Sequence, residues 1–307
     1  MKFTTPINIK TNKTIDHNSR IVMLGSCFAE NIGKRLTDCG FNVIVNPMGI
    51  LYNPKSIAAT LERLTTGTEF TANDLFYHNG LWASLMHHGS FSHADKAEAL
   101  RMMNERLKEG HEQLKNATHL IITFGSAEVY EHNGVVVSNC HKLPASEFTH
   151  RLLSIDEIIS LNFQPLTFNS QLSTLFTISP VRYMGEGAHH GQLNKATLLL
   201  ATDQICKATG ADYFPSYEIM MDELRDYRFY ATDMIHPSEV AIDYIFERFT
   251  DTYLTDEAIR TAEEVQKIKK SLSHRPLHPD SEEYEKFKQK LSQQIEEITK
   301  KYPNIKL

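Results

Sequence analysis

The sequence predicts an α/β fold: a central parallel sheet with helices on both faces and a helical extension at the carboxyl end. Three observations predict it. Short apolar runs containing β-branched residues alternate with stretches whose apolar residues recur at helical spacing. Residues 21–45 read strand–helix–strand, which implies a right-handed βαβ unit and a parallel pair. Beyond about residue 255 the strand signals stop and two charged helical stripes follow.

Ile21-Val22-Met23-Leu24 reads as a buried strand. Ala29, Ile32, Leu36 and Cys39 then mark a helix that Gly40 stops. Residues 41–45 form the next strand, closed by Asn46-Pro47. Pro54 suits a helix start, and Ile57, Leu61 and Leu64 supply its apolar stripe. Residues 95–116 read as a long helix with Ala99, Met103, Leu107 and Leu114 on one face. His119 to Phe124 is a central strand ending at Gly125. A helix is expected around 146–160, a strand from Leu175 to Ser179, a helix over 192–208 and a short last strand at Tyr213-Phe214.

The main domain is expected over residues 1–255 and the extension over 256–307. In the extension, Ala258, Ala262, Val265, Ile268 and Leu272 form one stripe, and Tyr284, Phe287, Leu291, Ile295 and Ile298 a second. Glu282→Lys286, Glu296→Lys300 and Glu297→Lys301 stand in the favourable i,i+4 order. Arg275-Pro276 and His278-Pro279 separate the stripes. The reading is a helical hairpin packed on the main domain; the alternative is an arm forming a homodimer.

The chain has 307 residues, 41% hydrophobic and 23% charged, which places it among ordinary soluble domains. A net charge of −6 argues against a nucleic-acid partner, whose phosphates call for a basic surface. No apolar run approaches the roughly 20 residues of a membrane span, so no membrane partner is expected. The amino terminus has no signal-peptide core, and the reading is cytoplasmic. Cys27, Cys39, Cys140 and Cys206 show no CxxC pairing, and all but Cys27 read as small core residues.

In an open parallel sheet, sites form outside the carboxyl ends of the strands. Ser26, Asn46, Gly49, Gly125, Ser126, Ser179, Arg182, Asp233 and His236 all follow strands, so the topology gathers them along one edge. Ser26 lies between a strand and a helix, where free N–H groups and the helix dipole can stabilise an oxyanion; it also suits a plain N-cap. A serine nucleophile needs a base, and the base needs an orienting carboxylate. In Asp233-Met234-Ile235-His236-Pro237, the Asp can accept from His236 Nδ1 and turn Nε2 toward the serine. Arg182 suits an anionic or carbonyl group, or an ion pair with Glu128. His87-His88, His141 and His189-His190 lack the spacing of a metal site, so no metal and no cofactor is expected; they read as cleft-lining or substrate-binding.

Leu24-Gly25-Ser26-Cys27-Phe28-Ala29-Glu30 resembles the name-giving motif of the GSCFA-domain family, placed in the SGNH/GDSL hydrolase superfamily. NPMGILYNP (46–54), HHGSF (87–91), NCHKLP (139–144), SPVR (179–182) and residues 213–230 resemble it too. The resemblance covers roughly residues 1–250, with the hairpin outside its motifs. It implies a flavodoxin-like three-layer α/β/α sandwich, Ser26 as nucleophile, His236 as base and Asp233 as its partner. It also implies an oxyanion hole from the Ser26 N–H, a glycine N–H that Gly49 matches, and an Asn side chain. The Asn is missing: Ala127 stands in its place in Gly125-Ser126-Ala127-Glu128. Asn139, Ser126 and Arg182 are the candidate replacements, Asn139 because it follows an apolar run, Gly134 to Ser138, that can fold over the site.

The expectation is therefore an esterase acting on a small-molecule or carbohydrate ester, such as an O-acetyl ester, with Arg182, His88 and Ser126 binding substrate. An O-acyltransferase on a carbohydrate uses the same triad. A non-catalytic binding module fits the missing Asn, and Cys27 is the alternative nucleophile.

Overall fold

The computed structural model describes residues 5–12, 14–163, 172–274, 277 and 281–307. Five strands form one parallel sheet: β1 (Arg20–Gly25), β2 (Asn42–Val45), β5 (His119–Phe124), β9 (Ser173–Ile178) and β10 (Asp212–Phe214). Their spatial order is β10-β9-β5-β1-β2. Counted within the sheet alone, that is the 2-1-3-4-5 order of a flavodoxin-like fold. The winding direction reverses between β1 and β5, which opens a crevice beyond their carboxyl ends.

Side-chain alternation divides the core in two. Val22, Leu24, Leu120, Ile122 and Phe124 point to one face, where they meet α2 (Pro54–Thr66), α3 (Lys96–Lys115) and α5 (Gly187–Thr209). Ile21, Met23, Ile121 and Leu175 point to the other, against α1 (Cys27–Asp38) and α7 (Glu239–Tyr253). Helices thus cover both faces of a sheet whose central strands are largely apolar.

Two antiparallel pieces depart from the expected pattern. β3 (Phe76–His78) and β4 (Leu81–Ala83) form a hairpin. β6 (Glu128–His132), β7 (Val135–Val137) and β8 (Phe148–Leu152) form a three-stranded sheet in the order β7-β6-β8. The helix expected around 146–160 is therefore corrected. Residues 148–152 are a strand, because they pair in register with β6, and only α4 (Ile155–Ile159) is helical. Ser154 and Glu157 close a capping box that starts α4. The helix over 192–208 begins earlier, at Gly187. After β10, α6 (Ser216–Glu218) runs into a π-turn over Ile219–Glu223. The sequence reading left both α7 and this turn unassigned.

At the carboxyl end, α8 (Asp256–Leu272) and α9 (Glu282–Lys301) pack through Val265, Ile268, Leu291 and Ile298. The pair is joined to the main domain at the turn after α1. Lys269 Nζ donates to Thr37 O at 2.8 Å, and Lys306 N donates to Gly40 O at 3.0 Å. Lys301 bonds Glu257 of α8 at 2.8 Å rather than its i−4 neighbour Glu297. Leu272, expected on the buried stripe, is exposed. The residues expected to break the hairpin, Arg275-Pro276 and His278-Pro279, lie outside the described residues.

Candidate active site

The turn from β1 into α1 is built for one purpose, to bring Ser26 to the crevice. Gly25 has φ +145°, and a Cβ there would stand 2.2 Å from Thr123 O of β5, so only glycine fits. Its N–H donates to Asn46 Oδ1 at 2.8 Å. Asn46 is thus a brace for the turn rather than a substrate group. Ser26 caps α1, with its Oγ accepting from Phe28 N–H at 3.3 Å. Its own N–H stands at the helix amino terminus, on the side of β1 that pairs with β5.

Gly125 supplies the other wall. A Cβ on it would lie 3.2 Å from Ser26 Cβ and 3.1 Å from Tyr52 O, so the missing side chain leaves room for the serine. The Gly125 and Ser126 N–H groups both donate to Tyr52 O, at 2.8 and 2.9 Å, and are not available to a substrate. Ser126 Oγ is likewise engaged, by Glu128 N–H at 3.0 Å and Asn194 Nδ2 at 2.8 Å.

The second element comes from the loop before α7. Asp233 Oδ1 accepts from Ile235 N–H at 2.9 Å and His236 N–H at 3.0 Å, while Oδ2 bonds His236 Nδ1 at 2.6 Å. The two backbone N–H groups and then the imidazole hold the Asp233 carboxyl down at about 2. With Nδ1 occupied, Nε2 is the free nitrogen of His236. Met234 takes a left-handed φ of +58° to make this tight loop. Arg182 ties the loop down twice: its N–H donates to Ile235 O at 3.0 Å and its Nη1 to Met234 O at 3.0 Å. No ion pair joins Arg182 to Glu128, because Glu128 faces His150 at 2.9 Å and His190.

Ser26 and His236 line one cleft of about 410 Å³, together with Ser126, Asn139 and Arg182. Asp233 stands behind His236. No hydrogen bond joins Ser26 Oγ to His236 among the described residues. Apo catalytic pairs are commonly loose in this way and tighten with substrate.

Gly49 and His88 are corrections. The Gly49 N–H is consumed by Asn46 O at 2.7 Å, and a Cβ on Gly49 would strike His88 Cβ at 2.2 Å. The two residues pack on each other outside the cleft lining, and His88 caps the turn at Ser90. The other singled-out histidines do not line the cleft either. His87 is fully buried against Phe70 and Phe91, and burial drives it down to about 3. His141 Nε2 bonds Ser84 O at 2.8 Å.

Cys27 lines the cleft, and Cys140 lines it too instead of sitting in the core. Burial raises the Cys27 thiol, which keeps it protonated and argues against it as the nucleophile. Asn53 is a cleft residue that sequence reasoning missed. It caps α2, its Oδ1 taking Ser56 N–H at 2.8 Å, which turns its NH₂ away from the helix. Asn139 is set the same way, with Oδ1 taking His141 N–H at 2.8 Å. Asn53-Pro54 was legible as a helix start, but nothing local told that the amide would face the cleft.

A family model described as GSCFA family matches residues 20–249, and a second, GSCFA domain protein, C-terminal domain, matches residues 265–307. The chain belongs to the GSCFA family. The first model ends before the extension, as expected, and the second covers most of it. No curated protein and no solved structure matches.

Proposed function

We propose that this GSCFA-family protein is a serine hydrolase of SGNH/GDSL type that cleaves a small acyl ester, on a small molecule or a carbohydrate. The observation that carries the reading is that Ser26, at the amino terminus of α1, shares one cleft with His236, whose Nδ1 is held by Asp233. In this reading Ser26 Oγ attacks the ester carbonyl while His236 Nε2 takes the hydroxyl proton. The negative carbonyl oxygen is met by the Ser26 N–H and the α1 dipole, with the Asn53 and Asn139 amides replacing the missing motif Asn. Collapse breaks the bond to the alcohol, which leaves with the proton from His236. Water, deprotonated by His236, then releases the acid and restores Ser26. Tyr52, Val137, Val181 and Tyr183 give the cleft the apolar lining an acyl group prefers.

Labelling with a fluorophosphonate tests this. Wild type is expected to be labelled, and Ser26→Ala and His236→Ala are expected to lose the label while remaining folded. A folded wild type that takes no label removes the hydrolase reading and leaves a binding module on the same scaffold.

A further inference from the structure

Behind Ser26 lies a charge that the triad does not use. Lys195 of α5 is 2% exposed, and its Nζ donates to Gly125 O at 2.7 Å and Ser179 O at 2.8 Å. These are the carbonyls just beyond the ends of β5 and β9. Gly125 abuts Ser26, so the ammonium sits one peptide group from the nucleophile. No carboxylate pairs with it among the described residues; the Tyr217 ring lies 5.5 Å from its Nζ.

Burying an ammonium without a counter-ion is costly. Holding the turn does not require it. The adjacent Asn194, a neutral amide, already clamps the same turn through Ala127 N–H at 3.0 Å and Ser126 Oγ at 2.8 Å. What a buried cation adds over an amide is a long-range field in a low-dielectric setting. That field is useful where negative charge forms and is gone when the reaction ends.

We propose that Lys195 is a positioning residue of the Ser26 centre, whose buried ammonium stabilises the developing oxyanion from behind Gly125 and adds to the Asn53 and Asn139 amides that replace the missing motif Asn. The inference rests on the serine-hydrolase reading. Burial also lowers Lys195 to about 7. The titratable groups facing it are the Cys27 thiol from α1 and the Tyr217 phenol from α6, both held up and neutral by burial. Glu128 on β6 is turned to His150 and His190. The charge is thus present below about pH 7 and lost above it.

The test is the rate of Ser26 phosphonylation by a fluorophosphonate from pH 5.5 to 9, on the full chain. In wild type the rate is expected to fall as Lys195 loses its proton. Lys195→Met, checked for folding by circular dichroism, is expected to be about 10²-fold slower, the scale of one lost oxyanion donor, and to lose the falling limb. A folded Lys195→Met with a wild-type rate and profile overturns the inference. Should that variant not fold, Lys195→Gln, which keeps a donor and drops the charge, takes its place, and a wild-type rate in folded Lys195→Gln overturns the inference as well. Wild type that is never labelled at Ser26 overturns the hydrolase reading and this inference together, whereas a labelled wild type with an indifferent Lys195 overturns only the inference.

Discussion

Ser26 and His236 face one cleft, yet Ser26 is 2% exposed while the His236 side chain is 49% exposed. The serine is placed by the sheet. Its turn is braced by Asn46 from the β2 exit, by the close approach of β5 and by Gly125. Those contacts are buried and long-range, so they are inseparable from the fold. The histidine is placed by three local bonds to Asp233 and by Arg182, on a loop that the core hardly touches. Ser26 is thus part of the stability of the molecule, and His236 is an attachment to it. A chain arranged this way can lose the histidine's geometry without losing its fold, but not the serine's.

Gly25→Ala puts a Cβ 2.2 Å from Thr123 O at a φ of +145°. The expected result is a loss of about 3 kcal/mol or more, read as a large drop in melting temperature or as insoluble protein. A wild-type melt would show that the turn is not braced as described. Asp233→Asn should do the reverse. Melting temperature is expected to stay near wild type, since Asp233 is exposed, while phosphonylation slows by up to about 10⁴-fold as the imidazole loses its orienting acceptor. A parallel loss of stability and rate would mean that the loop belongs to the core. Arg182→Gln is the smallest step. It removes the Nη1 bond to Met234 O and keeps the backbone bond to Ile235 O. About 10-fold slower labelling is expected, the cost of roughly one hydrogen bond to a charged group, with no change in melting. Full activity in this variant would confine the holding of the loop to Asp233 and the backbone.

The same division explains which elements were readable. Strands β1, β2, β5 and β9 and helices α1, α2 and α3 carry apolar periodicity long enough to declare them, and each stands close to where it was expected. The antiparallel pieces were missed although each hairpin turns on an Asn-Gly pair. Asn79-Gly80 and Asn133-Gly134 both have positive φ, the strongest short-range hairpin signal a sequence carries. Residues 148–152 carried no such mark. They are a strand because β6 offers an edge, and propensity yields to that pairing. Gly49 misled for a related reason. Its left-handed φ and its position after β2 suit an oxyanion donor, but the turn to Asn46 O had already used its N–H.

By itself, the sequence determined the parallel sheet, the Ser26 turn, the Asp233–His236 unit and the two helices of the extension. All of these rest on periodicity or on contacts within a few residues, which linear spacing encodes directly. Only the tertiary structure decided that Cys27, Cys140 and Asn53 face the cleft, that His88 and Gly49 do not, and that Lys195 lies beneath Ser26. Those outcomes depend on which strand ends meet at the crevice between β1 and β5 and on what α5 carries beneath them. A helix residue 169 positions from Ser26 has no local signature of that meeting, because burial and hydrogen bonding across the sheet are set by packing and not by spacing along the chain.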